Sequence, residues 1–224
     1  MLFCCAAKRR VEKLSGFSPS WNHYNAFGIK GEKDGGLKME LLDVCGENGL
    51  PTRAVIPREE AHRKGVLHRT AHVWLARRAD GRWQILLQKR SRTKDSFPGF
   101  YDTSSAGHIP AGEEPLPSAL RELEEELGLC AQPEQLLLIG HIRTCYEKQF
   151  YGRPFRDNEY INVFLYGGEV DETALRLQES EVEEVRWFDL EAVREEIRRS
   201  RARFCVPAES LELLRSYLIA ADMT

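Results

Sequence analysis

The segment from Pro115 to Leu127, PLPSALRELEEEL, constrains this chain more than any other stretch. Proline is tolerated in the first turn of a helix, and Gly128 follows where helices commonly end on a left-handed residue, so the spacing predicts a helix between them. Each helical residue advances by about 100°, so with Glu122 as zero, Glu125 falls at about −60° and Glu126 at about +40°. Leu116, Ala119, Leu120, Leu123 and Leu127 fall between about +60° and +160°, a separate apolar stripe. The helix therefore packs its leucines against something and presents three carboxylates together. Like charges at this spacing repel by about 0.2–0.5 kcal/mol per pair, a cost that a divalent cation would reverse. Mg²⁺ or Mn²⁺ takes carboxylate oxygens, keeps several waters and leaves positions for phosphate oxygens. Simple solvation of an acidic run is the alternative, and the helix alone leaves both open.

From Met39 onward, apolar runs alternate with turn signals. MELLDVCG opens the first strand. HVWLARR and WQILLQKR flank the turn ADGR, and LLLIGHIRTCYEKQFY and EYINVFLYGGEV flank a tip at Gly152–Pro154, so two antiparallel hairpins are expected. EVEEVRWFDL reads as a last strand, followed by helices near Glu191 to Arg199 and Pro207 to Ala220. Strands interleaved with a few helices predict an α/β fold, a mixed sheet between helices in an α/β/α sandwich. Residues 15–38 are rich in Gly, Ser, Asn and Lys and lack periodicity. Residues 1–38 are thus expected to be a disordered extension, dispensable if Met39 is the functional start, and 39–224 the catalytic domain. An acyl anchor on Cys4 and Cys5 is a less economical reading of that extension.

With 32 basic and 35 acidic residues mixed along the chain, the net charge of −3 leaves no footprint for nucleic acid. No apolar run approaches the roughly 20 residues of a membrane span. The six cysteines form no CxxC pair, which fits reduced thiols and predicts a cytoplasmic protein.

What surrounds the acidic helix decides its reading. In GHIPAGEEPLPSALRELEEELGL, Gly107 and Glu113 precede Arg121 and Glu122, then Glu125, Glu126 and Gly128, with aliphatic Leu123 and Leu129 between and after. This spacing matches the Nudix box, and the chain resembles the Nudix hydrolases. The resemblance implies a Nudix-type sandwich and Mg²⁺- or Mn²⁺-dependent hydrolysis of a diphosphate linkage in a nucleotide or other small organic diphosphate. Glu122, Glu125 and Glu126 would face the metal, joined by the Gly107 carbonyl. Glu113 and Arg121 would tie loop to helix by a charge-assisted hydrogen bond. The general base stays open among Glu125, Glu126 and a later acid; Glu159 in RDNEYINVF is the favoured contributor from outside the helix. Dimers are common in such a family, so a homodimer is one assembly to expect.

A narrower likeness runs from about Glu40 to Phe164. LDVCGENGLPT, PREEAHRKGVLHRTAHVWL, LLQKRSRTKDSFPGFYDTSSAGH and NEYINVF resemble the Nudix branch that includes isopentenyl-diphosphate isomerases. That likeness implies a second metal site on His62, His68, His108, Asp157 and Glu159, all ligand types that suit Mn²⁺ or Zn²⁺. Taken alone, these histidines also read as hydrogen-bonded strand filler. Isomerisation would need a cysteine where this chain has Ala106, and isomerases commonly carry a degraded box, whereas this one is whole. A third reading is a Nudix-fold nucleotide sensor without turnover. Lys89 and Arg90, with Arg92 and Lys94 beyond them, are candidate phosphate-binding cations, and Phe97, Phe100, Tyr101, Trp74, Tyr146 and Trp187 are candidates for stacking or for the core.

Overall fold

The computed structural model describes residues 39–223; the expected N-terminal extension, with Cys4 and Cys5, lies outside the described residues. Strands β1 (Leu41–Cys45) and β2 (Pro51–Pro57) pair antiparallel as a small separate sheet, and α1 (Arg58–Lys64) follows. The main sheet holds seven strands. They are β3 (His68–Ala79), β4 (Arg82–Arg90), β5 (Tyr101–Asp102), β6 (Ser105–His108), β7 (Leu136–Phe150), β8 (Arg153–Tyr166) and β9 (Val182–Asp189). Helix α2 (Pro115–Leu127) sits between β6 and β7, while α3 (Leu190–Arg199) and α4 (Ala208–Asp222) close the chain.

Both expected hairpins form, β3–β4 around Asp80–Gly81 and β7–β8 around Tyr151–Gly152. Each tip places a non-glycine residue and then a glycine at positive φ, the geometry that matches strand twist. Strands β3 and β8 run parallel, and every other pairing is antiparallel, so the sheet is mixed. Strand alternation sorts the two faces. Ala71, Val73, Leu75 and Leu86 pack under Ala119, Leu123 and Leu127 of α2. Trp74, Ile85, Leu87, Ile161 and Val163 pack under α3 and α4. Burying each of these leucines contributes about 2 kcal/mol. The result is the expected α/β/α sandwich, and the helix spanning Pro115 to Leu127 has the bounds read from its punctuation.

The sheet forks. Strand β3 pairs with β4 over Leu75–Ala79 but with β6 over Thr70–Val73, while β4 pairs beyond that point with β5. At the apex, the fully buried Ser104 accepts from Leu75 N (2.8 Å) and donates to Leu86 O (2.6 Å). One hydroxyl thus replaces the ladder bonds lost where the strands part, and the opening lets groups from both faces meet. Near it, Arg69 Nη2 bonds Asp43 Oδ2 at 2.9 Å and the Glu113 carbonyl at 2.9 Å, tying the β1–β2 sheet and the loop before α2 to β3.

Candidate active site

A cavity of about 330 Å³ opens at the fork. On one side it is lined by Gly107, Arg121, Glu122, Glu125 and Glu126, and on another by His62, His108, Asp157 and Glu159. Members of both sets singled out from the sequence therefore share one cavity, although Glu113 and His68 are not among its lining residues.

On α2 the acids differ in their surroundings. Glu125 is exposed, Glu122 half-buried and Glu126 buried. Glu126 Oε2 accepts from Ala106 N (3.1 Å) and Gln88 Nε2 (3.2 Å), which fixes its carboxyl against the sheet. Burial, and next the charge of Glu122, push its pKa up to about 8; burial likewise raises that of Glu122. Carboxyls held so reluctantly ionised gain from a cation placed between them. Arg121 takes that part here, with Nη1 at 2.8 Å from Glu122 and 3.0 Å from Glu125. The expected Arg121–Glu113 hydrogen bond is not made: their atoms stand 4.0 Å apart, because Arg121 turns to these two acids and to the His108 carbonyl (3.4 Å). Glu113 instead accepts from Ser118 Oγ at 3.1 Å. Gly107 is required for close approach: a Cβ there would fall 2.1 Å from the Glu122 carboxyl carbon.

Across the cavity, His62, His68 and His108 each offer a ring nitrogen within 4.8 Å of the others', and His68, Asp157 and Glu159 form a second such group. His68 is fully buried, and its Nδ1 lies 2.8 Å from Val66 O, which makes Nδ1 the protonated nitrogen. Its Nε2 is then a bare lone pair without a hydrogen-bond partner, 3.8 Å from Glu159 Oε1. Burial drops the His68 pKa to about 4, so the ring stays neutral and its Nε2 keeps a free lone pair near neutral pH. Glu159 is raised well above the usual carboxylate range, by burial and then by Asp157. A divalent cation fits this donor set, since it accepts from imidazole and carboxylate at once. His62 Nδ1 stands 3.4 Å from Asp157 Oδ1, and its Nε2 is 3.1 Å from His108 Nε2.

Lys89 and Arg90 part company. Neighbours on a strand face opposite ways, and Lys89 points away from the cavity to Glu183 at 2.9 Å. Arg90 lines the cavity but is bonded to Ser96 O (3.0 Å), Ser96 Oγ (3.1 Å) and Asp102 (3.3 Å). Lys94 also lines it, paired with Glu181. Among the aromatic candidates, Phe97 and Tyr146 reach the cavity, whereas Trp74 and Tyr101 are core. Trp187 packs beneath the α2 face. Sequence reasoning passed over Arg58, His72, Asp102 and Cys205, which also line the cavity. For His72 a signal existed, because it shares a strand face with His68. Cys205 carries none, since its chain segment is brought in by long-range contacts such as the bridge between Tyr101 and Phe204. The four described cysteines are free thiols. No helix among the described residues is long and apolar enough to cross a membrane.

The NUDIX domain profile matches residues 66–205. An uncharacterized Nudix hydrolase of Clostridium acetobutylicum is 37% identical over 147 residues, 65% of this chain and 68% of that one. One from Pseudomonas aeruginosa is 33% identical over 181 residues, covering 81% and 95%. Nudix hydrolase 3 of Arabidopsis thaliana is 39% identical over 161 residues, 70% of this chain but 20% of its own length. A crystal structure from Deinococcus radiodurans aligns with a TM-score of 0.54 at 19% identity, over 80% of this chain and 99% of that one, a likeness of fold. The glutamate helix, the cavity at the fork and these relatives together make the chain a member of the NUDIX domain family, a Nudix hydrolase acting on phosphorus anhydrides.

Proposed function

We propose that this chain hydrolyses the diphosphate linkage of a small organic diphosphate with Mg²⁺ or Mn²⁺ held by Glu122, Glu125 and Glu126. The observation that carries this reading is the placement of those three carboxylates in one cavity, with Arg121 bridging two of them. A bound divalent cation supplies charge neutralisation of the phosphate oxygens and acidifies a water. The chain's own residues supply the rest. Gln88 and Ala106 hold the Glu126 carboxyl in one orientation. Glu125, Glu126 and Glu159 all line the cavity and are the candidates for the general base. Arg58 and Lys94 bring positive charge to the cavity wall for the phosphates.

His62, His68, His108, Asp157 and Glu159 are proposed as a second cation site, on the strength of the unpartnered His68 lone pair. This set is also what the likeness to isopentenyl-diphosphate isomerases implied, and it keeps isomerisation as a second reading. Ala106 provides no thiol for that chemistry, and Cys205, the one cysteine lining the cavity among the described residues, is held protonated by burial and Asp102.

The test is phosphate release with Mg²⁺ or Mn²⁺ and a coupling phosphatase, over nucleotide sugars, dinucleoside polyphosphates, nucleoside diphosphates and prenyl diphosphates. Metal-dependent release abolished by Glu126→Gln establishes the reading. Conversion of isopentenyl diphosphate to its allylic isomer without phosphate release would replace it.

A further inference from the structure

The tip of the β7–β8 hairpin carries an unusual residue for a tight turn. Two-residue hairpin turns with positive φ at both positions favour Asn-Gly or Asp-Gly, and the β3–β4 hairpin uses Asp80–Gly81. The β7–β8 tip instead places Tyr151, at φ 50°, before Gly152. Tyr151 is 70% exposed, so burial does not account for it. Its side chain reaches across to the β4–β5 loop, residues 91–100. There the hydroxyl donates to the Lys94 carbonyl at 3.2 Å, with the Arg92 carbonyl 3.5 Å away. The neighbouring Phe150 ring packs edge-on against Phe97, with 4.9 Å between centroids.

The loop so held carries two residues that line the cavity, Lys94 and Phe97. Phe97 has a φ of 47°, in the left-handed region that a bulky side chain keeps only where its surroundings impose it. Those surroundings include three side chains of β7: Phe150, Tyr146 at 5.9 Å between ring centroids, and Lys148, whose ammonium stands 4.5 Å from the Phe97 ring centre. Arg90 fixes the loop from the strand side by its bonds to Ser96. The hairpin tip supplies a second anchor, at Lys94 itself. Without it the backbone around Lys94 and Phe97 has room to relax toward negative φ, and the lysine would no longer start from one place on the cavity wall.

We infer that Tyr151 is a positioning residue, whose hydroxyl latches the β4–β5 loop to the hairpin tip and so sets Lys94 for the substrate's phosphates. This rests on the use of Lys94 proposed above, but its tests read the loop and the binding apart from hydrolysis. The full chain is titrated calorimetrically with inorganic diphosphate, with Ca²⁺ in place of Mg²⁺, and trypsin cleavage after Arg92 and Lys94 is followed by mass spectrometry. Tyr151→Phe, which loses the hydroxyl alone, should weaken diphosphate binding by about threefold to tenfold and speed cleavage by a similar factor. Tyr151→Asn should do the same while holding or raising the melting temperature, because asparagine suits the turn better. A residue that served the hairpin alone would lose stability instead. In a double-mutant cycle, adding Tyr151→Phe to Lys94→Met should weaken diphosphate binding by less than about twofold further, since the two act through one contact. Binding and cleavage unmoved by both Tyr151 variants overturn the inference. So do fully additive losses in the cycle, a melting temperature of Tyr151→Asn that falls along with binding, or a wild type that does not bind diphosphate. Failure of the hydrolase reading shows separately, as no phosphate release with Mg²⁺ from a protein in which Tyr151 still governs diphosphate binding.

Discussion

The carboxyl carbon of Glu122 occupies the space in which a side chain on residue 107 would begin, 2.1 Å from where a Cβ would sit. Residue 107 is therefore glycine for the sake of a neighbour's position rather than for its own backbone. Gly107→Ala should move Glu122 out of the cavity. Because the Glu122 side chain can swing aside, stability should fall by only about 1 kcal/mol, the low end of what overpacking costs. Turnover should fall about a hundredfold, since small misplacements of catalytic groups cost that much. Thermal melts and phosphate-release rates on the same sample check both; unchanged turnover would remove Glu122 from the metal-facing set.

Glu126 makes the metal-free protein sensitive to pH. Its pKa rises from 4.5 to about 8 on folding, so between those values the unfolded chain has lost a proton that the folded chain keeps. The native state then binds more protons, and stability is present in full below 4.5 and is lost as pH rises toward 8, by on the order of a few kcal/mol. With chelator present, the melting temperature should decline from pH 5 to pH 8, and Glu126→Gln should flatten the decline. A wild-type profile that rises over this interval would contradict the placement of Glu126.

Ser104 bonds to both strands at the fork, so Ser104→Ala leaves Leu75 N and Leu86 O buried without partners. The expected cost is about 1–3 kcal/mol. Hydrogen exchange should locate the loss, with the Leu75 amide among those that quicken. Valine or threonine at 104 separates shape from bonding: only threonine should recover stability.

Removing one imidazole tests the second cation site. His68→Ala should lower the number of Mn²⁺ ions bound at saturation by one, read by paramagnetic relaxation of water, whereas Glu126→Gln should weaken a different ion. Equal stoichiometry in wild type and His68→Ala would mean that the histidines hold no metal.

Much of this architecture was legible because its signals are local. Pro115 and Gly128 punctuate α2, the leucine spacing sets its face, and Asp80–Gly81 sets a hairpin. The glutamates were legible for the same reason, as spacing on a helix is geometry. What escaped depends on distant pairing. The two-residue β5 carries no periodicity of its own and exists because β4 lies beside it. Cys205 reaches the cavity through a contact more than a hundred residues away in sequence, with Tyr101. Lys89 was open to a better reading, since strand alternation alone says that it and Arg90 cannot both face the site.

The division of labour along β3 has a consequence for how this chain can vary. Along this strand Thr70 and His72 line the cavity, while Ala71 and Val73 pack toward α2 and Arg69 pairs with Asp43. A deletion of a single codon here would exchange the two sets, turning an arginine and small aliphatic side chains toward the substrate and imidazoles into the leucine layer. A one-residue deletion within 68–73 should therefore abolish fold and catalysis together, whereas a change of side chain at a single position leaves the register of the strand intact.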